Sequence, residues 1–482
     1  MEKKNKVQKK KAERRFTEPA HLLARLGVLL LIVTAVVVFT DKKKYFIASQ
    51  EEIHHEQRWE SIYDLTPKHP IDVVVLGNSH VNTGIEPSML SCALGCTAFD
   101  LAPSGTTIAD AYYCLKELLT RTTPRLVVVE TYLMRGVEGP VKKGGALADQ
   151  YRSFYPRRNL RIKLESLPVL FGVESYLPAW SFTLRNHELL LRDREAMKKD
   201  LQIYRNRQSQ KDKSLYLGRY SRFREGISDS IMYLYKTKGA PVDGRNQKIS
   251  ERDVRYAAKI VELCNKKNIE VMFLTLPMYE YHIANYEDWR KEQSRAISPT
   301  GKAWFNLQMP YQSKFDRDCF ESTYNENQHL TVVGAVYSSY KLAHYITDVL
   351  KIDLPDRRKE SEWMDMFYGN EGYYENLPLR QNDSNYRLIA QDITLRDEHI
   401  VECFQSYKDD RFYLKLDNNT KIGDSASLLV EADVDGELQL GIVETTPSKL
   451  FDPVSHKLYV AQLPSDIKVV RLVGWTDDII KE

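Results

Sequence analysis

The sequence predicts an α/β protein, a doubly wound parallel sheet carrying a helical insertion, an N-terminal transmembrane helix and a C-terminal β-sandwich. Three observations lead there. First, short runs that read as buried strands alternate with stretches of helical spacing: VVVL (73–76), TAFDLA (97–102), RLVVVET (125–131) and IEVMFLTLP (269–277). Strands that are apolar throughout are those covered by helices on both faces, as in parallel sheets. Second, residues 21–40, HLLARLGVLLLIVTAVVVFT, form one long apolar segment. Third, seven short alternating runs follow Tyr386, separated by Asp-, Asn-, Gly- and Pro-containing turns, the pattern of a small β-sandwich.

The elements follow in order. The first 15 residues carry eight Lys/Arg against two Glu, and the continuous apolar run spans Leu26 to Phe39. Adding Leu22 to Ala24, with Arg25 snorkelling to the headgroups, brings it close to the roughly 20 residues a bilayer span needs. No small-x-small cleavage site precedes Asp41-Lys42-Lys43-Lys44, so a retained anchor is expected rather than a signal peptide. The basic N-terminal flank places that end in the cytoplasm and everything after about residue 41 outside it, in the periplasm or at the cell surface. Residues 1–20 are then a cytoplasmic tail, 21–40 the transmembrane helix and 41–69 a polar, helix-prone membrane-proximal stalk.

The α/β domain is expected over 70–351. TIADAYYCLKELL (107–119) and SERDVRYAAKIVELCNKKN (250–268) read as its helices, the second capped by Ser250, with a last helix near 331–351. Residues 140–245 break the rhythm with basic, aromatic stretches such as YRSFYPRRNLRIK and LYLGRYSRFREG, and read as a long, mostly helical insertion. Its Arg, Lys and aromatic residues suit either an anionic polysaccharide or a solvated lid. A charged linker (352–385) precedes the β-sandwich (386–482).

With 482 residues, 43% hydrophobic and 28% charged, the chain has material for more than one core. A net charge of +3 selects no particular partner, and nucleic acid is not expected outside the cytoplasm. Six cysteines are too few for a disulfide scaffold; Cys92 and Cys96 are spaced either to bridge or to remain two small buried thiols. There is no Cys/His cluster of zinc-site spacing and no H-E-x-x-H, so neither metal nor cofactor is expected.

Chemistry concentrates at the carboxyl ends of the strands, where open α/β sheets bind ligands. Ser79 follows the first strand in Gly77-Asn78-Ser79-His80, and Gly105 follows the second in a Ser-Gly turn. His329 stands before the last helix, three residues after Glu326. A serine needs a base to become a nucleophile, and the base needs an orienting carboxylate. Ser79, His329 and Glu326 supply those types, with Asp318 and Asp316 as further acids. The side chain of His80 should diverge from that of its neighbour Ser79.

These residues resemble the blocks of the SGNH/GDSL hydrolase superfamily over about residues 70–350. The resemblance is nearest to its membrane-anchored branch of alginate O-acetylation and D-alanyl-transfer envelope proteins. Gly77-Asn78-Ser79-His80 matches the first block, Gly105 the second-block glycine, and Glu326-Asn327-Gln328-His329-Leu330 the last block. Where the third block carries an asparagine, this chain has Glu130-Thr131-Tyr132. The resemblance implies an SGNH-like, flavodoxin-like fold, with Ser79 as nucleophile, His329 as base and Glu326 as orienting acid. The N–H groups of Ser79 and Gly105 would then line an oxyanion hole. The expected function is that of a membrane-anchored serine esterase or O-acyl(acetyl)transferase. It would act on cell-surface or exported polysaccharide, with other envelope or acyl-transfer proteins as partners. The alternative is a non-catalytic scaffold or glycan-binding protein on a degenerate domain of this type.

Overall fold

A computed structural model describes residues 2–43, 45–46, 50–186, 215–220, 227–238, 248–279, 286–308, 315, 317–322, 329–357, 360, 386–395, 397–406, 411–417, 420–423, 425–447, 456–464 and 466–476. Two compact units are distinguished. One comprises Met1–Glu56, Val141–Pro156 and Phe171–Lys213; the other Gln57–Pro140, Arg157–Leu170 and Ser214–Glu482.

The second unit contains a five-stranded parallel sheet. Its strands are β1 (Val73–Leu76), β2 (Ala98–Leu101), β3 (Leu126–Glu130), β6 (Glu270–Thr275) and β7 (Ala303–Asn306). A two-stranded hairpin, β4 (Leu215–Tyr216) and β5 (Arg219–Tyr220), lies between β3 and β6 in sequence. The sheet order is β2-β1-β3-β6-β7, so the chain reverses direction across the sheet at β1 and β3. That is the order of flavodoxin-like doubly wound folds, which bind ligands at this switch point. The register sets Val73 opposite both Ala98 and Leu126.

Every residue of β1, β2 and β3 is buried, which is why they read as largely apolar runs, broken only by Asp100 in β2 and closed by Glu130 in β3. On one face Val73, Val75, Ala98 and Val128 pack with Leu90, Leu342 and Ile346 from helices Pro87–Leu94 and Val332–His344 and the turn after the latter. Helices Ile108–Leu118 and Glu251–Asn265 also flank the sheet, the latter opened by a capping box between Ser250 and Asp253. β7, AWFN, carries no apolar run long enough to announce itself, because three of its four residues are only half-buried at the sheet edge. The stretch from 41 to 69 contains helix Gln50–Leu65, which buries Ile53, Trp59, Ile62 and Tyr63. Cys96 is fully buried, and the side chain of Cys92 lies outside the described residues.

The C-terminal strands are β8 (Tyr386–Leu395), β9 (Glu398–Ser406), β10 (Arg411–Asp417), β11 (Ala426–Val434), β12 (Glu437–Pro447), β13 (His456–Gln462) and β14 (Ile467–Trp475). They form one antiparallel sheet, β14-β11-β12-β13-β10-β9-β8, rather than the two separate layers of the expected sandwich. The long β12 causes this: Glu437 to Thr445 pair with β11, then Thr446 and Pro447 pair with β13. Bulges in the β8–β9, β9–β10 and β11–β14 pairs add curvature. The ends meet where Trp475 Nε1 donates to the Leu395 carbonyl (2.9 Å), giving a barrel-like sheet around Phe412, Leu414, Leu428 and Val469.

Candidate active site

The segment after β1 is shaped by packing. A Cβ on Gly77 would lie 2.2 Å from Val81 Cγ2, so only glycine lets the chain turn tightly into the next helix. Asn78 caps that helix: its Oδ1 accepts from the His80 N–H (3.1 Å), and its Nδ2 donates to the Tyr132 carbonyl (3.3 Å). Ser79 is thereby fixed as the first residue of helix Ser79–Gly84, half-buried at the carboxyl edge of the sheet. Its hydroxyl makes no hydrogen bond among the described residues.

Two buried arginines hold the far end of this helix. Arg58 Nη2 donates to Asn82 Oδ1 (2.9 Å) and its Nε to the Gly218 carbonyl (2.6 Å). Arg219 donates to the carbonyls of Asn82 (3.2 Å) and Thr83 (3.3 Å) and is ion-paired with Glu86. Cations at a helix C-terminus complement its exposed carbonyls. Hairpin β4–β5 thus braces the serine helix, and it also meets β2, where the Asp100 N–H donates to the Leu217 carbonyl (2.8 Å). Asp100 is fully buried; burial pushes its carboxyl up to about 7 against the pull of Arg58. Neither arginine nor Asp100 carries a local sequence signal.

Gly105, in the turn after β2, has φ +69°, a left-handed conformation that favours glycine. The Thr106 hydroxyl donates to the Gly77 carbonyl (3.1 Å) and draws this turn to the one after β1. Gly105 and Ser79 therefore lie on adjacent loops of neighbouring strands.

His329 arrives through a short antiparallel ladder. Phe320 and Leu330 form an isolated bridge, Glu321 N–H donates to the His329 carbonyl (3.0 Å), and Thr331 N–H to the Cys319 carbonyl (2.9 Å). A Cβ on Gly334 would stand 2.3 Å from the Cys319 oxygen, so glycine is needed where the last helix starts against this ladder. The His329 ring meets the His80 ring edge-on at 6.0 Å, which brings it to the residue beside Ser79. Behind it, Glu321 is buried, with its Oε2 3.6 Å from His329 Nδ1. His329 Nε2 makes no hydrogen bond among the described residues.

Among the described residues the carboxylate placed beside His329 is thus Glu321, eight residues before it. Glu326 and Asp316 lie outside the described residues, as does the side chain of Asp318. Only the ladder brings 321 to 329, which no spacing rule reads; the strand-like CFE before a turn is the one faint hint. His80 forms part of the floor. It is buried, stacked on Tyr132 at 3.5 Å, with its Nδ1 3.9 Å from Glu130 Oε1. Glu130 Oε2 in turn accepts from the Tyr132 N–H (2.9 Å).

Among the described residues no group of three His, Cys, Asp or Glu is placed to hold a metal ion. A cleft of about 470 Å³, lined by Arg125, Glu270, Lys302 and Asp353, sits at the opposite edge of the sheet, by the amino ends of β3, β6 and β7.

No family model and no curated protein sequence matches this chain. Among solved structures it is similar to an acetyl xylan esterase from the rumen bacterium Butyrivibrio proteoclasticus. That match has 9% identity and a TM-score of 0.25, covering 60% of this chain and 66% of the esterase, just under two thirds of its length. A candidate α-N-acetylgalactosaminidase from Bacillus halodurans matches at 10% identity and a TM-score of 0.19, over 82% of this chain and 97% of that one.

Proposed function

We propose that the protein is a membrane-anchored serine esterase or O-acyltransferase acting on cell-surface or exported polysaccharide through an acyl-enzyme at Ser79. The observation that carries this reading is the convergence at one sheet edge. Ser79 opens its helix there, and His329 stands against the adjacent ring with its Nε2 unengaged among the described residues and Glu321 behind its Nδ1. His329 Nε2 takes the Ser79 proton as Oγ attacks the acyl carbonyl carbon. The resulting oxyanion is held by the N–H groups of Ser79 and Gly105. Collapse expels the alkoxide, which recovers the proton from His329. Water or a sugar hydroxyl then attacks the acyl-enzyme by the reverse sequence. Glu321 is a positioning residue in this scheme, holding the imidazole and its developing charge. The polysaccharide class rests on the resemblance together with a helix, the one such among the described residues, long and apolar enough to cross a membrane. The barrel-like domain is assigned a supporting role toward the glycan.

A second reading, a non-catalytic scaffold, is favoured by two observations. The Ser79 hydroxyl is not hydrogen-bonded among the described residues, and Glu130, Thr131 and Tyr132 supply no side-chain amide at the third strand. The test is release of acetate from a small activated ester by the purified chain, with Ser79→Ala alongside. Activity and phosphonate labelling lost in the variant support the esterase; a wild type that neither turns over nor labels supports the scaffold.

A further inference from the structure

The N-terminal apolar helix and the Val141–Pro156 and Phe171–Lys213 parts of the insertion belong to one compact unit, and a joint between them lies where the apolar span ends. The most apolar 18-residue stretch of the span His21–Lys42 has a mean hydropathy of 2.7 and none of that stretch is buried. At its last turn Thr40 Oγ1 lies 2.7 Å from Thr183 Oγ1, and Asp41 Oδ1 accepts from both the N–H (2.8 Å) and the hydroxyl (2.7 Å) of Thr183. Asn186 Nδ2 donates to the Phe46 carbonyl (2.8 Å), and Arg185 pairs with buried Glu52 at 2.8 Å. Phe46, Ile53 and Phe182 close a small apolar cluster over Tyr155. Helix Phe182–Asn186 is therefore fastened to the end of the span.

The chain just before this fastening has an unusual surface. Val173 is 76% exposed and Leu177 70% exposed, four residues apart in consecutive helical turns. Tyr176 and Trp180 are half-buried beside them. Scattered exposed aliphatics are ordinary. These two lie within ten residues of a hydrogen bond to Asp41, the residue at which the apolar span meets polar chain. Trp and Tyr concentrate at that depth, where an amphipathic ring has one wet and one apolar side. Lys42 and Lys43, both exposed, add cations at the same level.

We propose that residues 171–186 lie in the interfacial layer of the same phospholipid bilayer that the N-terminal helix crosses, with Val173 and Leu177 turned to the acyl chains. The segment is an in-plane second anchor. This rests on the N-terminal helix being a membrane span, and is independent of the chemistry at Ser79.

The test uses the full chain in nanodiscs of phosphatidylcholine and phosphatidylglycerol. Single Val173→Cys, Leu177→Cys, Lys143→Cys and Val33→Cys variants carry a solvent-sensitive thiol fluorophore, with the unsubstituted chain as background. Lipids bear a nitroxide near the headgroup or at mid-chain. The expected result is quenching of the 173 and 177 probes by the shallow nitroxide at least about twofold above that at 143, with the probe at 33 quenched by the deep one. A 177 probe no more quenched than that at 143, while 33 is quenched, overturns the proposal. A 177 probe shielded from solvent yet unquenched overturns it too, in favour of a protein covering the face. Loss of quenching at 33 removes the membrane span itself, and the proposal with it.

Discussion

Asp100→Asn should remove a pH dependence of stability that burial builds into the sheet. Asp100 is fully buried beneath the β2 turn, and neither carboxylate oxygen makes a well-formed hydrogen bond among the described residues. Burial is the largest influence on its carboxyl; the Arg58 charge and, less strongly, the Ala102 N–H oppose it, leaving it at about 7. In the unfolded chain the same group titrates near 3.9. That gap corresponds to at most ~4 kcal/mol, because each tenfold change in proton affinity is worth about 1.4 kcal/mol. The folded pKa is raised, so the folded protein holds the proton more tightly than the unfolded chain. The stability contributed is complete below about 3.9 and is lost as pH rises through about 7. Asparagine fixes the side chain neutral at nearly the same shape. The difference in unfolding free energy, wild type minus Asp100→Asn, should fall by a few kcal/mol between pH 4.5 and 8. The measurement is urea unfolding followed by tryptophan fluorescence at half-unit pH steps. Lys163, held down to about 7 by burial, titrates in the same window, but in both proteins, so it cancels in the difference. A difference flat to within about 0.5 kcal/mol would refute the argument. A difference that rises with pH would show that the attraction of Arg58 outweighs burial.

Further outcomes are expected around the serine helix and the base. Glu321→Ala should lower kcat on an activated ester at least about a hundredfold with little change in KM, whereas Glu326→Ala should leave kcat within about threefold; the reverse ranking restores Glu326 as the orienting acid. Gly77→Ala drives a methyl into the Cβ and Cγ2 of Val81 and should cost about 1–3 kcal/mol in denaturant unfolding. Arg219→Ala leaves Glu86 buried without its partner and should cost about 3–5 kcal/mol. The double variant Arg219→Met, Glu86→Leu should recover most of that loss, and failure to do so would mean the arginine acts mainly through its bonds to the Asn82 and Thr83 carbonyls.

The sequence by itself settled the parts of this protein whose cause is local. β1, β3 and β6 are legible because a strand covered on both faces is apolar along most of its length, as Val73–Leu76 and Leu126–Val129 are, while β2 is legible from Ala98, Phe99 and Leu101 despite the buried Asp100 between them. Ser250 announces its helix because a cap is a contact between residues three apart. The serine turn at Gly77–Ser79 is legible for the same reason. What only the tertiary structure decided depends on contacts between residues far apart in sequence. β7 is half-exposed and reads as loop until β6 pairs with it. The strand runs after Tyr386 fit a sandwich or a barrel equally well, and the choice falls to the two residues of β12 that change partner and to the bond from Trp475 to Leu395. Glu321 comes beside His329 because Phe320 pairs with Leu330, a contact across a ladder that the spacing of residues 321 and 329 does not express. Arg58 and Arg219 brace a helix that neither adjoins in sequence. Spacing reports contacts made within a turn or a strand, while register and long-range packing select partners across the fold, and the candidate site is assembled by the second.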